Sequence, residues 1–172
     1  LFCCEGTAER FILSTLIERD ELIIPQSQII RNRTDGDWAV KRSHSEVNEY
    51  LDVDYGDKPL LIIRIVDSNS DNYKPPKGYE HKVEVKCLHT HPEIEMLVII
   101  AEGLYGQYTN KSKQLKPSLY CKNVLKYGQV KDWRWLERYW ADPGKLEHAI
   151  AEYSRLHKFG RKEDRGILEL IK

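Results

Sequence analysis

Hydrophobic residues along the first 109 positions fall in short blocks whose spacing predicts alternating strands and helices. Residues 60–66 form an almost continuous aliphatic run, which is typical of a central strand covered on both faces of a parallel sheet. Residues 1–4 have the pattern of a buried strand end, and we expect that strand to have lost leading residues because no initiator methionine precedes it. The turn Glu5-Gly6-Thr7 then leads into a helix, with Thr7 as the expected N-cap.

Weaker patterns complete an order of strand, helix, strand, helix, strand, strand and helix over the front of the chain. The remaining elements expected there are a strand at 23–30, a helix at 43–50, a loop at 68–80, a strand at 81–89 and an apolar helix from 92 to about 108. Pro25 interrupts the first of these, and Ser43 or Ser45 is the expected cap of the second. Three further helices are expected near 117–126, 131–141 and 144–158.

These elements favour an α/β fold in which a parallel-sheet core carries helices on both faces and a helical C-terminal extension. A chain of 172 residues fits one domain, so we expect 1–109 to form the core and 110–172 to form a basic helical extension packed on the same domain. No apolar run approaches the roughly 20 residues of a membrane span, and the four cysteines have no disulfide-scaffold spacing. A soluble cytoplasmic protein without a membrane partner is therefore expected.

Charge is distributed unevenly along a chain whose formal net charge is zero. Residues 1–109 carry 12 Lys and Arg against 19 Asp and Glu, a net −7, whereas residues 110–172 carry 15 against 8, a net +7. This asymmetry favours a protein that holds cations in its front half and a polyanion such as nucleic acid on its back half. Segregation of charges on solvated faces would give the same counts.

Three acidic residues lie where the predicted elements would bring them together. Glu9 falls at the centre of the apolar stripe of the first helix, so its carboxylate is expected to face the core unless it serves only as a helix-dipole or capping contact. Glu5 and Asp67 each end a predicted strand, and ligands bind at the edge where the carboxyl ends of parallel strands meet. Oxygen ligands of this kind suit Mg²⁺ or Mn²⁺, so the sequence predicts a divalent-metal site.

The residues around these acids resemble a known family. Residues 4–9, Cys-Glu-Gly-Thr-Ala-Glu, look like the E-G-x-x-E opening of the Toprim superfamily, in particular the branch of overcoming-lysogenisation-defect nucleases and small phage-defence proteins. The hydrophobic strand ending in Asp67 resembles the D-x-D motif of that superfamily. Residues 91–97 resemble a third segment, in which a proline precedes an acid and an aliphatic helix. The similarity covers residues 1–105.

The resemblance implies a Toprim-like core that hydrolyses phosphodiester bonds of DNA or RNA with Mg²⁺ or Mn²⁺. The implied metal ligands are Glu5, Glu9, Asp67, Asn69, Asp71 and Glu95. Asn69 stands where the second D-x-D acid is expected, with Asp71 as its alternative, and Glu95 fits the third segment better than Glu93. Glu5 is the implied general acid or base.

A lysine near the phosphate would assist such chemistry, and the sequence offers three candidates by position only. Lys122 is the candidate for a catalytic role, while Lys126 and Lys131 are candidates for nucleic-acid binding. Antiphage defence, and a partner ATPase or a homo-oligomer, are further implications of the resemblance alone. Because Asn69 replaces an acid, the alternative is a non-catalytic Toprim-like module that binds nucleic acid or protein.

A second constellation offers a zinc alternative. Cys87, His89 and His91 alternate in and after the strand predicted at 81–89, which puts all three on one side of the chain. They lack a C-x-x-C or H-E-x-x-H spacing, and Cys87 has the alternative role of a small buried hydrophobe. The chain has no G-x-S-x-G or Walker A signature, which argues against a serine hydrolase or a P-loop ATPase.

The segment 131–140 mixes large aromatic and basic side chains. The helix face expected in the core holds Trp133, Leu136 and Trp140. Another face holds Trp135 and Tyr139, flanked by Arg134 and Arg138. This second face is a candidate stacking surface for unpaired bases, and its alternative is a protein interface.

Overall fold

The structure is organised around a parallel sheet. The computed structural model describes residues 1–66, 73–90, 93–111, 115–156 and 166–172. Within these ranges the strands are β1 (Phe2–Cys4), β2 (Val40–Lys41), β3 (Leu60–Val66) and β4 (Val83–His89). Their order across the sheet is β2-β1-β3-β4, and every neighbouring pair is parallel. The prediction of an α/β fold with a parallel sheet is confirmed at this level.

Seven α-helices lie in the same ranges. They are α1 (Thr7–Glu18), α2 (His44–Asn48), α3 (Met96–Ala101), α4 (Tyr105–Lys111), α5 (Pro117–Asn123), α6 (Trp133–Tyr139) and α7 (Pro143–Leu156). Short 3₁₀ segments occupy Gln26–Gln28 and Gly166–Leu170. The helices expected beyond residue 109 are thus present, with their boundaries shifted by a few residues.

Strand β3 is the interior strand that its aliphatic run predicts. Six of its seven residues are buried, and its neighbours lie on both sides, with Ile63 opposite Phe2 of β1 and Val66 opposite His89 of β4. Alternate residues of β3 face opposite sides of the sheet, so a strand covered on both sides needs apolar residues at most positions, and Arg64 is the single charged residue of β3.

Both faces of the sheet are covered, but unequally. The larger core joins the face that carries Phe2, Cys4, Ile63, Ile65 and Leu88 to helices α1, α3, α6 and α7. The smaller core joins the face that carries Leu1, Cys3, Leu60 and Ile62 to α2 and the residues after it. Helices from the C-terminal part therefore complete the same core as the N-terminal strands, and α3 packs on α7 while α1 packs on α6.

The second strand differs from the sequence prediction, and the strand expected at 23–30 is wrong. Pro25 leads into the 3₁₀ segment Gln26–Gln28, because proline has no backbone N–H to donate to a neighbouring strand. The strand that pairs with β1 is β2 instead, in which Val40 is buried, as is Ala39 just before it. Its two paired positions are too few to give a readable alternating pattern.

Two helix boundaries also differ. The residue at the N-cap position of α1 is Gly6 rather than Thr7, and no side chain caps this end. The single helix expected from 92 to about 108 is two helices, because Gly103 adopts a left-handed conformation with φ 69° between α3 and α4. Pro92 lies outside the described residues. Of the two caps expected for α2, Ser43 and Ser45, the structure has Ser43, which forms a reciprocal capping box with Glu46.

None of the described helices is long and apolar enough to cross a membrane.

Candidate functional site

The candidate site lies at the edge of the sheet where the strands end. Because all described strands run parallel, the residues that follow β1, β2 and β4 emerge at this one edge: Glu5, Arg42 and Thr90. Glu5 is exposed there, and its backbone oxygen accepts a hydrogen bond from Arg42 Nη2 at 3.5 Å. The predicted ligands Asp67, Asn69 and Asp71 lie outside the described residues, so their convergence with Glu5 stays a prediction.

Glu9 extends from the first turn of α1 back toward β1. The residues predicted to form the apolar stripe of this helix are buried: Ala8, Ile12, Leu13, Leu16 and Ile17. Glu9 itself is half-buried, which corrects the expectation that it points into the core. Its carboxylate covers Gly6 so closely that a Cβ added to Gly6 would overlap Oε2. Burial and the charge of Glu9 together raise the pKa of the Cys4 thiol at the end of β1.

Glu95 is the most deeply buried carboxylate of the site. Only 3% of the residue is exposed, and its Oε1 lies 3.1 Å from Nζ of Lys131. Burial raises the pKa of Glu95, although the ammonium of Lys131 opposes that shift. Glu93 is more exposed and is engaged elsewhere, since it accepts a hydrogen bond from the Ser118 backbone at 3.0 Å. The inward-facing acid of this segment is therefore Glu95, as the resemblance favoured.

Lys131 links the acids of two different segments. Burial lowers its pKa, but the carboxylates of Glu95, Glu93 and Glu9 outweigh that effect and the net shift is upward. The ammonium is thus in contact with Glu95 and feels the charges of Glu93 and Glu9. We call Glu9, Glu93, Glu95 and Lys131 the carboxylate cluster.

The other two candidate lysines lie apart from the carboxylate cluster. Lys122 on α5 and Lys126 after it are exposed, and no described contact joins either one to these acids. Lys126 adopts a left-handed backbone conformation with φ 60°. The sequence could not show which of the three lysines meets an acid. Lys131 lies between α5 and α6, where no periodicity indicates the direction of a side chain.

Unsatisfied polar atoms lie beside the same edge at the end of β4. Within the described part of the chain, the buried Thr90 Oγ1 and His89 Nδ1 have no hydrogen-bond partner. Gly166 packs against this strand end, where an added Cβ would lie 2.9 Å from Thr90 Oγ1. Buried polar atoms are normally hydrogen-bonded, so these two are available to a ligand, a water or a neighbouring segment.

The described residues do not form a complete metal site by themselves. Over the ranges that the structure covers, no three His, Cys, Asp or Glu side chains are grouped as a bound ion would require. The predicted site depends on Asp67 and its neighbours, which are not among them. In the zinc alternative, Cys87 and His89 are half-buried two residues apart on β4, and His91 lies outside the described residues.

The aromatic face of α6 is partly internal. Trp135 stacks on Tyr139 with ring centroids 4.5 Å apart, and the Tyr139 hydroxyl donates to Glu102 at 2.7 Å. Arg134 and Arg138 are exposed, as expected for residues that contact nucleic acid. Their binding role and that of Trp135 stay predictions.

Trp133 corrects the expectation that one face of α6 lies wholly in the core. Leu136 and Trp140 are each only 1% exposed, whereas Trp133 is 41% exposed. Trp133 is the first residue of α6 and makes an edge contact with Phe11, with ring centroids 5.1 Å apart. Being in the first turn leaves much of its ring accessible.

In comparisons with protein-family models, with curated proteins and with solved structures, nothing matches this chain. The class that the fold defines is an α/β protein with a four-stranded parallel sheet in its described residues.

Proposed function

We propose that this chain is a metal-dependent nuclease of the Toprim type, acting on phosphodiester bonds of DNA or RNA. The observation that supports this most directly is the buried Glu95 carboxylate, paired with Lys131 close to Glu9 at the ligand-binding edge of a parallel sheet. A buried carboxylate is costly for a fold, because desolvation penalises its charge. Such a cost is common at functional sites, where acids are held ready for metal or substrate.

The proposed metal ligands are oxygen donors at one edge of the sheet. They are Glu5, Glu9 and Glu95, completed by Asp67 with Asn69 or Asp71. An all-oxygen set suits Mg²⁺ or Mn²⁺ better than zinc. When bound, such an ion supplies neutralisation of phosphate charge and activation of water. Thr90 Oγ1, which has no hydrogen-bond partner among the described residues, adds a polar group to the same edge.

The roles of the protein groups follow from their positions. Glu5 is exposed at the edge and can exchange a proton with solvent and substrate, which suits a general acid or base. The Lys131 side chain is 60% exposed while that of its partner Glu95 is buried, so the lysine charge is available to an incoming phosphate. Glu95 orients that ammonium. Lys131 is therefore better placed than Lys122 for the role of phosphate-binding lysine.

Cleavage assays on single-stranded and duplex DNA and RNA, with Mg²⁺, Mn²⁺ or EDTA, test this proposal. Glu5→Gln should abolish cleavage, and Lys131→Ala should lower it by roughly 100-fold, which is typical when a charge-stabilising group is removed. Lys122→Ala should stay near wild type. Glu49→Gln, which removes an exposed acid that is not among the proposed metal ligands, is the matched control for Glu5→Gln.

The alternative is a non-catalytic binding module on the same frame. The asparagine at position 69 favours it, because it leaves one acid fewer in the second motif. Binding of nucleic acid without cleavage under any metal condition would support the module and overturn the nuclease. A role in antiphage defence, a partner ATPase, self-association and a cytoplasmic location rest on the resemblance or on composition, and remain proposals.

A further inference from the structure

A polar cleft of about 670 Å³ runs along the outer side of α1. Helix α1 contributes Arg10, Ser14 and Glu18, which are four residues apart and therefore share one face. The facing wall comes from the segment before β2 and from β2 itself, and Trp133 of α6 also lines the cleft. Its volume is in the range of pockets for small ligands, which leaves space for a nucleotide but not for a duplex.

The cleft adjoins the proposed active site. Arg10 follows Glu9 directly on α1, and Lys41, on the facing wall, directly precedes Arg42. Arg42 in turn donates to the backbone of Glu5. One end of the cleft therefore lies beside both acids of the E-G-x-x-E segment.

The cleft is lined by an arginine with one buried nitrogen that has no partner among the described residues. Arg10 Nε is buried and makes no hydrogen bond within the described residues, and no ion pair of Arg10 occurs there either. A buried N–H donor without a partner is costly, and the guanidinium group of an arginine matches the geometry of a phosphate well. Arg10 is thus a candidate contact for a phosphate group.

Aromatic rings supply the second half of nucleotide recognition. Trp133 is 41% exposed, because its edge contact with Phe11 covers only part of the indole. Across the cleft, the guanidinium of Arg31 stacks on Trp38 at 3.6 Å from the ring centroid, so that ring already has a partner. Trp133 is therefore the ring that remains open to a base.

The four acids of the lining do not exclude an anionic ligand. Glu46 accepts hydrogen bonds from Ser43 and from the Arg42 backbone, and Asp35 accepts from the Asp37 backbone. These two carboxylates are satisfied locally. They keep their charge, however, and the lining as a whole holds four acids against three cations, so binding here cannot depend on a positive field. Recognition by stacking with few phosphate contacts is the mode that fits.

We propose that this cleft binds a nucleotide of an unpaired DNA or RNA strand, with Trp133 stacking on a base and Arg10 contacting a backbone phosphate. The strand would continue from the cleft to the carboxylate cluster. This continuation rests on the proposed nuclease function, whereas binding in the cleft does not. The substrate class of the site would then be single-stranded nucleic acid or unpaired ends.

Fluorescence anisotropy with labelled oligothymidine and oligouridine in EDTA tests the proposal without cleavage, and the two probes separate DNA from RNA. Trp133→Ala should weaken binding about tenfold, whereas Trp133→Phe should keep most of it, because stacking needs only a π-face. Arg10→Gln should also weaken binding and should lower the slope of log affinity against log salt by about 0.7, the loss of one phosphate contact on a single strand. Far-UV circular dichroism confirms that each variant is folded.

Arg33→Ala is the matched control, because Arg33 is an exposed arginine of the 31–38 segment that does not line the cleft. It should bind like wild type. Wild-type affinity in Trp133→Ala and Arg10→Gln, or duplex binding as tight as single-strand binding, would overturn the proposal. Loss of binding only in the double variant Arg134→Ala/Arg138→Ala would also overturn it, because the nucleic acid would then bind the face of α6 that carries these two arginines.

The cleft and the nuclease can fail separately. If no substrate is cleaved but Trp133→Ala and Arg10→Gln bind single strands more weakly, the cleft stands and the nuclease fails. If wild type cleaves and Trp133→Ala cleaves with an unchanged KM, the nuclease stands and the cleft fails. If Glu5→Gln is inactive yet binds single strands like wild type, the result supports the cleft as a site distinct from the catalytic acid.

Discussion

The ammonium of Lys131 lies 3.1 Å from the carboxylate of Glu95, and the two partners differ sharply in exposure, at 60% and 3% of their side chains. The pair therefore buries an acid while it presents a cation at the surface. Because burial raises the pKa of Glu95 despite the nearby ammonium, the fold retains an acid that desolvation disfavours. The stability of the fold should therefore depend on pH through an acid that we also propose as a metal ligand.

Glu95→Gln should change how stability depends on pH. A carboxyl whose folded pKa lies above its ordinary value of 4.5 contributes stability that is fully present below that pH and is lost as pH rises through the folded pKa. The free energy of unfolding of wild type should therefore fall relative to Glu95→Gln between about pH 4.5 and neutrality. Urea unfolding in EDTA across this range measures the difference. A difference independent of pH would contradict the raised pKa.

Lys131→Ala should make the free energy of unfolding fall more steeply as pH rises. Without the ammonium, Glu95 keeps its desolvation cost but loses its nearest favourable charge, so the neutral-pH loss should be about 1 kcal/mol, a modest figure because Lys131 is largely exposed. The double variant with Glu95→Gln should recover most of that loss. If Lys131→Ala destabilises the wild-type chain and the Glu95→Gln variant equally, the two residues are not coupled.

Gly6→Ala should displace the Glu9 side chain while leaving the fold intact. Gly6 has extended backbone angles that alanine adopts readily, so the change should leave stability within about 1 kcal/mol of wild type. The new Cβ would overlap the Glu9 carboxylate, so that carboxylate must move. It can do so because it is the end of a flexible side chain. We expect a normal melting temperature with a reduced Mg²⁺ response and reduced cleavage. A normal response to Mg²⁺ would show that the observed position of Glu9 is not required.

Melting temperatures with and without Mg²⁺ should distinguish the oxygen-ligand site from the zinc alternative. At a free Mg²⁺ concentration 100 times its Kd, a bound ion contributes about 2.7 kcal/mol, or a rise of roughly 5 to 10 °C for a chain of this size. Glu5→Gln and Asp67→Asn should lose this rise, whereas Cys87→Ala and His89→Ala should keep it. Should the cysteine and histidine variants lose a metal response that the acid variants keep, the zinc interpretation would replace ours.

The surface of α6 should give a different salt dependence from the cleft. Arg134 and Arg138 are exposed, so we expect them to contact phosphates and thereby to release bound counterions. Duplex binding by wild type should weaken steeply with salt, and the double alanine variant should lower the slope by about 2. Equal slopes for the two proteins would leave this surface as a protein interface.

The sequence was most informative where local pattern alone decides structure. The aliphatic run of β3 predicted an interior strand, and the cap of α2 was predicted to be Ser43 or Ser45, so both features could be predicted from local pattern. Short elements were not predictable in this way. Strand β2 has two paired residues and exists because β1 offers a free edge, whereas the longer apolar segment around Pro25 lacks a donor that a strand would need.

The sequence by itself determined the class of fold and the edge of the sheet where Glu5 emerges, because parallel strands end together. Only the tertiary structure decided which acid of the pair at 93 and 95 is buried, which lysine meets it, and that Trp133 is left open beside Arg10. The directions of those side chains depend on how α1 packs against α6 and how α3 packs against α5 and α7. Such contacts join residues distant in sequence, and no local periodicity specifies them.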